Sequence, residues 1–290
     1  MPPVIGAIAW LAVTIVLRLS VIESLFLWAP LVVVPLGLDL IPRSGWLDRA
    51  IRLAQPHAAL LAAISFAVDP GPTAAALAAP WALVCFSMAA WASIRFFRRR
   101  RWDYVETFVD AALGLIAVGG WGFVMSRAGM KPAGFGEPIV LLTAVHFHYT
   151  AFVAPLLVAM AGRKAGPRRP ILFSGAAVVI GTPMLAAGFT LHTPALKMVA
   201  VLLIAAGLAV FAWELTRLAV DEPVARTRTL LGIAAFSIFW GMVLAGLYSF
   251  GEFRQRVLVA IPAMAWSHGI LNALGFATCG LLGARAWRQG

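Results

Sequence analysis

The sequence predicts an all-α protein, a polytopic transmembrane helical bundle of about ten spans with both termini in the cytoplasm. Three observations predict it. Of 290 residues, 62% are hydrophobic and only 12% charged, and mean hydropathy is +0.90, more apolar surface than one soluble core of this size can bury. Pro, Gly and charged residues divide the chain into ten apolar runs, most of them long enough to cross about 30 Å of hydrocarbon. Basic residues then recur at every second boundary, as cytoplasmic loops require.

The first run, 3–18, follows a start (MPPVIGAIAW) that lacks a basic segment and a small-residue cleavage site, so it reads as a retained span and not as a removed leader. The second, 22–41, holds Pro30 and Pro35 as bending points and is followed by Arg43, Arg49 and Arg52. The first run and the third, 50–68, are the shortest. The fourth, 72–95, ends on Arg95 and the Arg98 to Arg101 run, and the fifth spans 104–126. The sixth, 137–161, precedes Arg163, Lys164, Arg168 and Arg169, and the seventh, 170–190, carries Pro183 as a kink. The eighth, 194–216, precedes Arg217, Arg226 and Arg228. The ninth spans 228–249, and the tenth, 263–285, leads to Arg285 and Arg288. These loops and the tail hold 17 of the 23 basic residues. The opposite side keeps six: Arg18, Arg127, Lys131, Lys197, Arg254 and Arg256. Trp46, Trp91, Trp102, Trp213 and Trp287 fall near the basic ends, and Trp28 and Trp266 near the others, the placement of interfacial belts.

Polar stretches reach only about ten residues, so residues 1–290 read as a single transmembrane domain with no soluble domain and no internal repeat. The net charge of +11 lies in short clusters between apolar runs, where anionic lipid headgroups and not nucleic acid are the expected partner. Cys85 and Cys279 sit inside apolar runs and offer neither a disulfide framework nor a zinc motif. HExxH, Walker and GxSxG motifs are absent, as is an Asp-rich pair for magnesium–pyrophosphate chemistry.

Ionisable side chains inside a bilayer are costly and mark sites by default. Asp39, His57, Glu106, Asp110 and Glu214 lie near basic helix ends, where arginines can satisfy them. Glu106 and Asp110 share a helix face as a possible carboxylate pair, but anchoring to the Arg98 to Arg101 run is the simpler reading. The opposite half is richer. Span six carries His146 and His148 near mid-bilayer, and span ten carries His268 one to two turns in, with Asn272 on the same face. Span nine adds Tyr248 and Glu252. Residues two apart on a helix point about 200° from each other, so His146 and His148 cannot share one metal, and no metal site is expected. His146 shares a face with Thr143, Tyr149 and Thr150, which turns that side inward and leaves His148 against a neighbouring helix.

His146-Phe147-His148-Tyr149 resembles the haem-ligating segment of haem–copper oxidase subunit I, where two histidines so spaced hold different haems. That family's copper-ligand histidine pair and cross-linked tyrosine region have no counterpart here. Three segments in order, Glu23 to Pro35-Leu36, His146 to Tyr149 and Ser267-His268-Gly269-Ile270-Leu271-Asn272-Ala273-Leu274-Gly275-Phe276, make the chain resemble the YndJ-like family of bacterial membrane proteins. The resemblance implies an integral membrane protein, in a family whose members are sometimes labelled transporters. Some members of that family are longer at the C-terminus, and a function carried by such an extension would lie outside this sequence.

The expectation is a multi-pass protein of the bacterial cytoplasmic (inner) membrane, in contact with lipid and acting on or binding a small hydrophobic molecule in the outer half of the bilayer. His146, His268, Tyr149 and Glu252 are the candidate catalytic groups for acid–base chemistry, with His148, Asn272, Tyr248 and Thr143 binding substrate. No cofactor is expected under this reading. A proton-coupled small-molecule transporter is the second reading and a haem-binding membrane protein the third.

Overall fold

The computed structural model describes residues 3–166 and 168–287; Arg288, counted above in the basic tail, lies outside the described residues. Among them the chain is helical throughout, and its ten long helices fall within a few residues of the ten apolar runs. They are α1 (Pro3–Leu17), α2 (Val21–Asp39), α3 (Gly45–Ser65), α4 (Pro72–Arg98) and α5 (Tyr104–Arg127), then α6 (Ile139–Ala165), α7 (Arg169–Thr190), α8 (Pro194–Val220), α9 (Ala225–Phe253) and α10 (Ile261–Ala286). Eight are long and apolar enough to cross a membrane. The other two are α1, which has only 15 residues, and α3, whose opening turns carry Asp48, Arg49 and Arg52. The protein is an integral membrane protein with multiple spanning helices.

The helices form two compact units: Met1–Asp103 with Val109–Phe152, and Tyr104–Phe108 with Val153–Gly290. In the first, Phe26, Trp81, Phe123 and Phe152 are fully buried, and Phe26 stacks on Phe123 with centroids 4.1 Å apart. Helix α2 starts on a capping box, in which Ser20 accepts from the Glu23 amide while the Glu23 carboxylate accepts from the Ser20 amide. Of the two prolines of α2, Pro30 lies inside a π-helical turn, Ala29–Val33, and Pro35 follows it. The π partner of the Pro30 carbonyl would be the amide of residue 35, which is a proline and has none. The Gln55 side chain donates to that carbonyl instead, at 2.6 Å, which explains a glutamine that is only 2% exposed.

Close approach of α5 and α6 in this unit depends on small residues. A Cβ on Gly119 would lie 2.8 Å from His148 Nδ1 and 2.9 Å from Phe147 Cβ, and one on Gly122 would touch the backbone of Ala144. The Ala144, His148, Ala151 stripe is therefore the packed face of α6, and each of the three is 0% exposed. His146 is exposed. His148 thus lies against a neighbouring helix and Tyr149 is buried, as expected, but the inward placement of His146, Thr143 and Thr150 is corrected: the two threonines are only half-buried, because small side chains and not polar ones set the seam.

In the second unit the same device recurs. Gly207 of α8 faces Ala177 of α7, and Gly275 of α10 faces Ser237 of α9. Helix α10 contains two π-helical stretches, Ala265–Gly269 and Leu271–Cys279. Carboxylates near the basic ends are paired: Asp110 with Arg95 and Arg99 in the first unit, Glu106 with Arg163 and Glu214 with Arg168 and Arg217 in the second. Anchoring to basic side chains thus accounts for Glu106 and Asp110, with Arg163 as a partner of Glu106. Trp46, Trp102, Trp213 and Trp266 are exposed. Trp91 is not a belt residue, since it is buried with its Nε1–H donating to Ser44 Oγ at 3.3 Å.

Candidate functional site

The described histidines of the apolar segments are tied by their surroundings. Trp81 Nε1–H donates to His148 Nε2 at 3.0 Å, and His148 Nδ1 lies 2.7 Å from the Ala144 carbonyl. An indole nitrogen only donates and a carbonyl only accepts, so the ring carries its proton on Nδ1, stays neutral and has both nitrogens spent. The rings of Phe26 and Trp81 enclose it, at centroid distances of 5.3 and 5.8 Å. Tyr149 is also in the core, its hydroxyl donating to the Leu25 carbonyl at 2.7 Å. His146 Nδ1 lies 2.7 Å from the Leu142 carbonyl, and Thr143 Oγ1 donates to the Ile139 carbonyl at 3.1 Å. Each is a bond to the helix's own backbone four residues earlier.

The second unit repeats the pattern at His268. Its Nδ1 donates to the Gly241 carbonyl at 2.7 Å, and Asn272 Nδ2 donates to its Nε2 at 2.9 Å. Asn272 Oδ1 is buried with no hydrogen-bond partner, and a Cβ on Gly241 would come within 3.0 Å of it. Tyr248 is half-buried, and Glu252 is ion-paired with Lys197. Of the eight residues expected to form a site, His268 and Asn272 are bonded to each other. His146, His148, Tyr149 and Thr143 belong to the first unit, with their polar atoms bonded as described; Tyr248 and Glu252 lie near the end of α9 in the second.

A cavity in the first unit collects different residues. It has a volume of about 200 Å³, and Glu23, Ser126, Arg127 and Glu137 line it with Ser20, Ile22, Pro70, Pro138 and Leu141. The N-termini of α2 and α6 and the C-terminus of α5 build it, so it lies at the helix ends. Arg127 is 6% exposed. Its Nη2 donates to the Ser65 and Val68 carbonyls at 3.0 and 2.6 Å, closing the end of α3, and its guanidinium lies 4.8 Å from the Phe66 ring centroid. Its Nε is buried without a partner, and among the described residues no carboxylate ion-pairs with it. The charges of Glu23, Glu137 and Asp69 act on it from further off. Each cavity carboxylate is held by one oxygen: Glu23 Oε2 accepts from the Ser20 amide at 2.7 Å and Glu137 Oε2 from the Leu141 amide at 3.2 Å.

Sequence reasoning placed Arg127 on the side poor in basic residues without joining it to Glu23 or Glu137, which stand at the starts of the second and sixth runs. The signal was present in the alternation of ends. What was missing was that α2, α5 and α6 adjoin there. Among the described residues, no cluster of three or more His, Cys, Asp or Glu has a metal-holding arrangement.

The model of the YndJ-like protein family matches residues 24–276, a stretch that includes Arg127, Glu137, His148 and His268. The chain is 29% identical over 279 residues to a Bacillus subtilis (strain 168) protein named "Uncharacterized membrane protein YndJ", covering 93% of this chain and 49% of that protein. It therefore spans about half the length of the curated relative it matches. No solved structure matches it.

Proposed function

We propose, from the premise that this chain belongs to the YndJ-like family of membrane proteins, that it is a multi-pass ligand-binding protein of the bacterial cytoplasmic membrane that holds a small molecule against Arg127. The observation that carries the reading is the buried guanidinium. A charge removed from water without an ion-pair partner is costly, and Arg127, which lines the cavity and pairs with no carboxylate among the described residues, is a group that an anionic ligand satisfies. In this reading the arginine-rich helix ends are cytoplasmic and the cavity opens on the opposite face.

Native mass spectrometry of the full chain purified in mild detergent tests it. The wild-type protein retains a small molecule or lipid, and Arg127→Gln loses most of it. Equal retention by the two proteins, or none by the wild type, overturns the reading.

A second reading keeps acid–base chemistry on a small hydrophobic molecule. It rests on His268, which is partly exposed and adjoins the unpartnered Asn272 Oδ1. A hydrogen-bond donor on the substrate would take that oxygen and displace the Asn272 amide from His268 Nε2, freeing the nitrogen as a base. His148, with both nitrogens spent in a closed core, is a structural group in either reading.

A further inference from the structure

We infer that the Arg127 cavity recognises a phosphoethanolamine group, a phosphate joined through two carbons to a primary ammonium. The inference rests on the reading of this cavity as a binding site. Arg127 supplies the anion-binding half: a nearly buried guanidinium that lines the cavity and has no ion-paired carboxylate among the described residues, of the kind that suits phosphate oxygens. A bare anion fits poorly, because Glu23 and Glu137 line the same cavity. Neither can easily swing away, since each is tied through Oε2 to a backbone amide. A second ligand group of positive charge answers them. A primary ammonium brings three N–H donors that the two carboxylates can accept, whereas a trimethylammonium has none and is typically bound by aromatic rings, of which the lining has none.

Size and depth agree with this chemistry. About 200 Å³ falls below the roughly 300–1,000 Å³ of pockets for drug-sized ligands and suits a headgroup. The cavity lies where α2 and α6 begin and α5 ends, the depth at which lipid headgroups meet spanning helices. The group is therefore available on phosphatidylethanolamine, and the same chemistry exists on free phosphoethanolamine.

The test uses the full chain in detergent micelles with equimolar phosphatidylethanolamine, phosphatidylglycerol and phosphatidylcholine of identical acyl chains, read by native mass spectrometry. The wild type is expected to retain phosphatidylethanolamine about tenfold or more over the other two, the scale of a charge-assisted bond. Arg127→Gln loses most of the retention of all three, since each carries the phosphate that the guanidinium holds. The double variant Glu23→Gln/Glu137→Gln levels phosphatidylethanolamine with phosphatidylglycerol. A glutamine still accepts from the capping amides, so that variant keeps its helix starts and serves if Arg127→Gln does not fold. Free phosphoethanolamine is the second arm. If it raises the melting temperature of lipid-free protein and displaces the lipid, the soluble molecule is the source; if only the lipid is retained, the headgroup is. Both support the assignment. Equal retention of the three lipids with no response to free phosphoethanolamine overturns the inference, as does an unchanged preference in the double carboxylate variant. If Arg127→Gln still loses a ligand in those cases, the site remains a binding site; if it loses none, the proposed function falls as well.

Discussion

At the scale of single residues, His148 and His268 are held by the same pair of bonds, a carbonyl taking the Nδ1 proton and a side-chain N–H meeting Nε2. They differ in what surrounds them. Trp81→Phe would leave His148 Nε2 as a buried acceptor without a donor, and the expected loss is about 1–3 kcal/mol, read as a lower melting temperature in detergent with lipid retention unchanged. Gly119→Ala puts a methyl within 3 Å of His148 and Phe147 and should cost about 1–3 kcal/mol by the same assay. A wild-type melting temperature in either variant would refute the packing assigned to this seam. The residues of the sixth span were legible as polar groups in an apolar run. Their orientation was not, because a residue's own polarity does not report whether the neighbouring helix offers a glycine. The signal that did report it is Gly119-Gly120-Trp121-Gly122 on α5.

At the scale of elements, the ten apolar runs became ten helices because helix length and hydrocarbon thickness are set by the backbone and the bilayer and depend little on side-chain detail. The π-helical turn of α2 shows where such reasoning stops. Pro30 and Pro35 announce a bend, but not that Gln55 of α3 supplies the hydrogen bond that Pro35 cannot. Gln55→Leu should destabilise the protein by about 1–3 kcal/mol. Pro35→Ala restores an amide at that position and should recover part of the loss when combined with Gln55→Leu. A double-mutant cycle of melting temperatures that adds without coupling would refute this account. In the second unit, Gly175→Ala would drive a methyl into the Phe108 ring, 2.2 Å from the built Cβ position, and should lower stability more than Gly119→Ala does.

At the scale of the whole molecule, orientation is the proposal with the widest consequences. The basic ends hold 17 of 23 lysines and arginines, which predicts that they face the cytoplasm. Arg100 and Ala133 are both exposed, one on each side by the alternation. In a background with Cys85→Ala and Cys279→Ala, Ala133→Cys should react with an impermeant maleimide in intact cells and Arg100→Cys only after permeabilisation. The reverse pattern would put the Arg127 cavity on the cytoplasmic face and overturn the orientation.

The sequence by itself determined that this is a membrane protein, where its helices begin and end, and which residue types are too polar to lie against lipid without a partner. Those properties follow from local composition measured against a solvent of fixed thickness. Only the tertiary structure decided which partner each polar group has: His148 with Trp81, His268 with Asn272, Glu106 with Arg163, and Arg127 with two carbonyls and an unspent Nε. Partnership depends on which helices adjoin and how closely their small residues let them approach, and a cavity at helix ends exists only once α2, α5 and α6 meet. That is why Arg127, read along the chain as one basic residue on the sparse side, emerges from the fold as the centre of the candidate site.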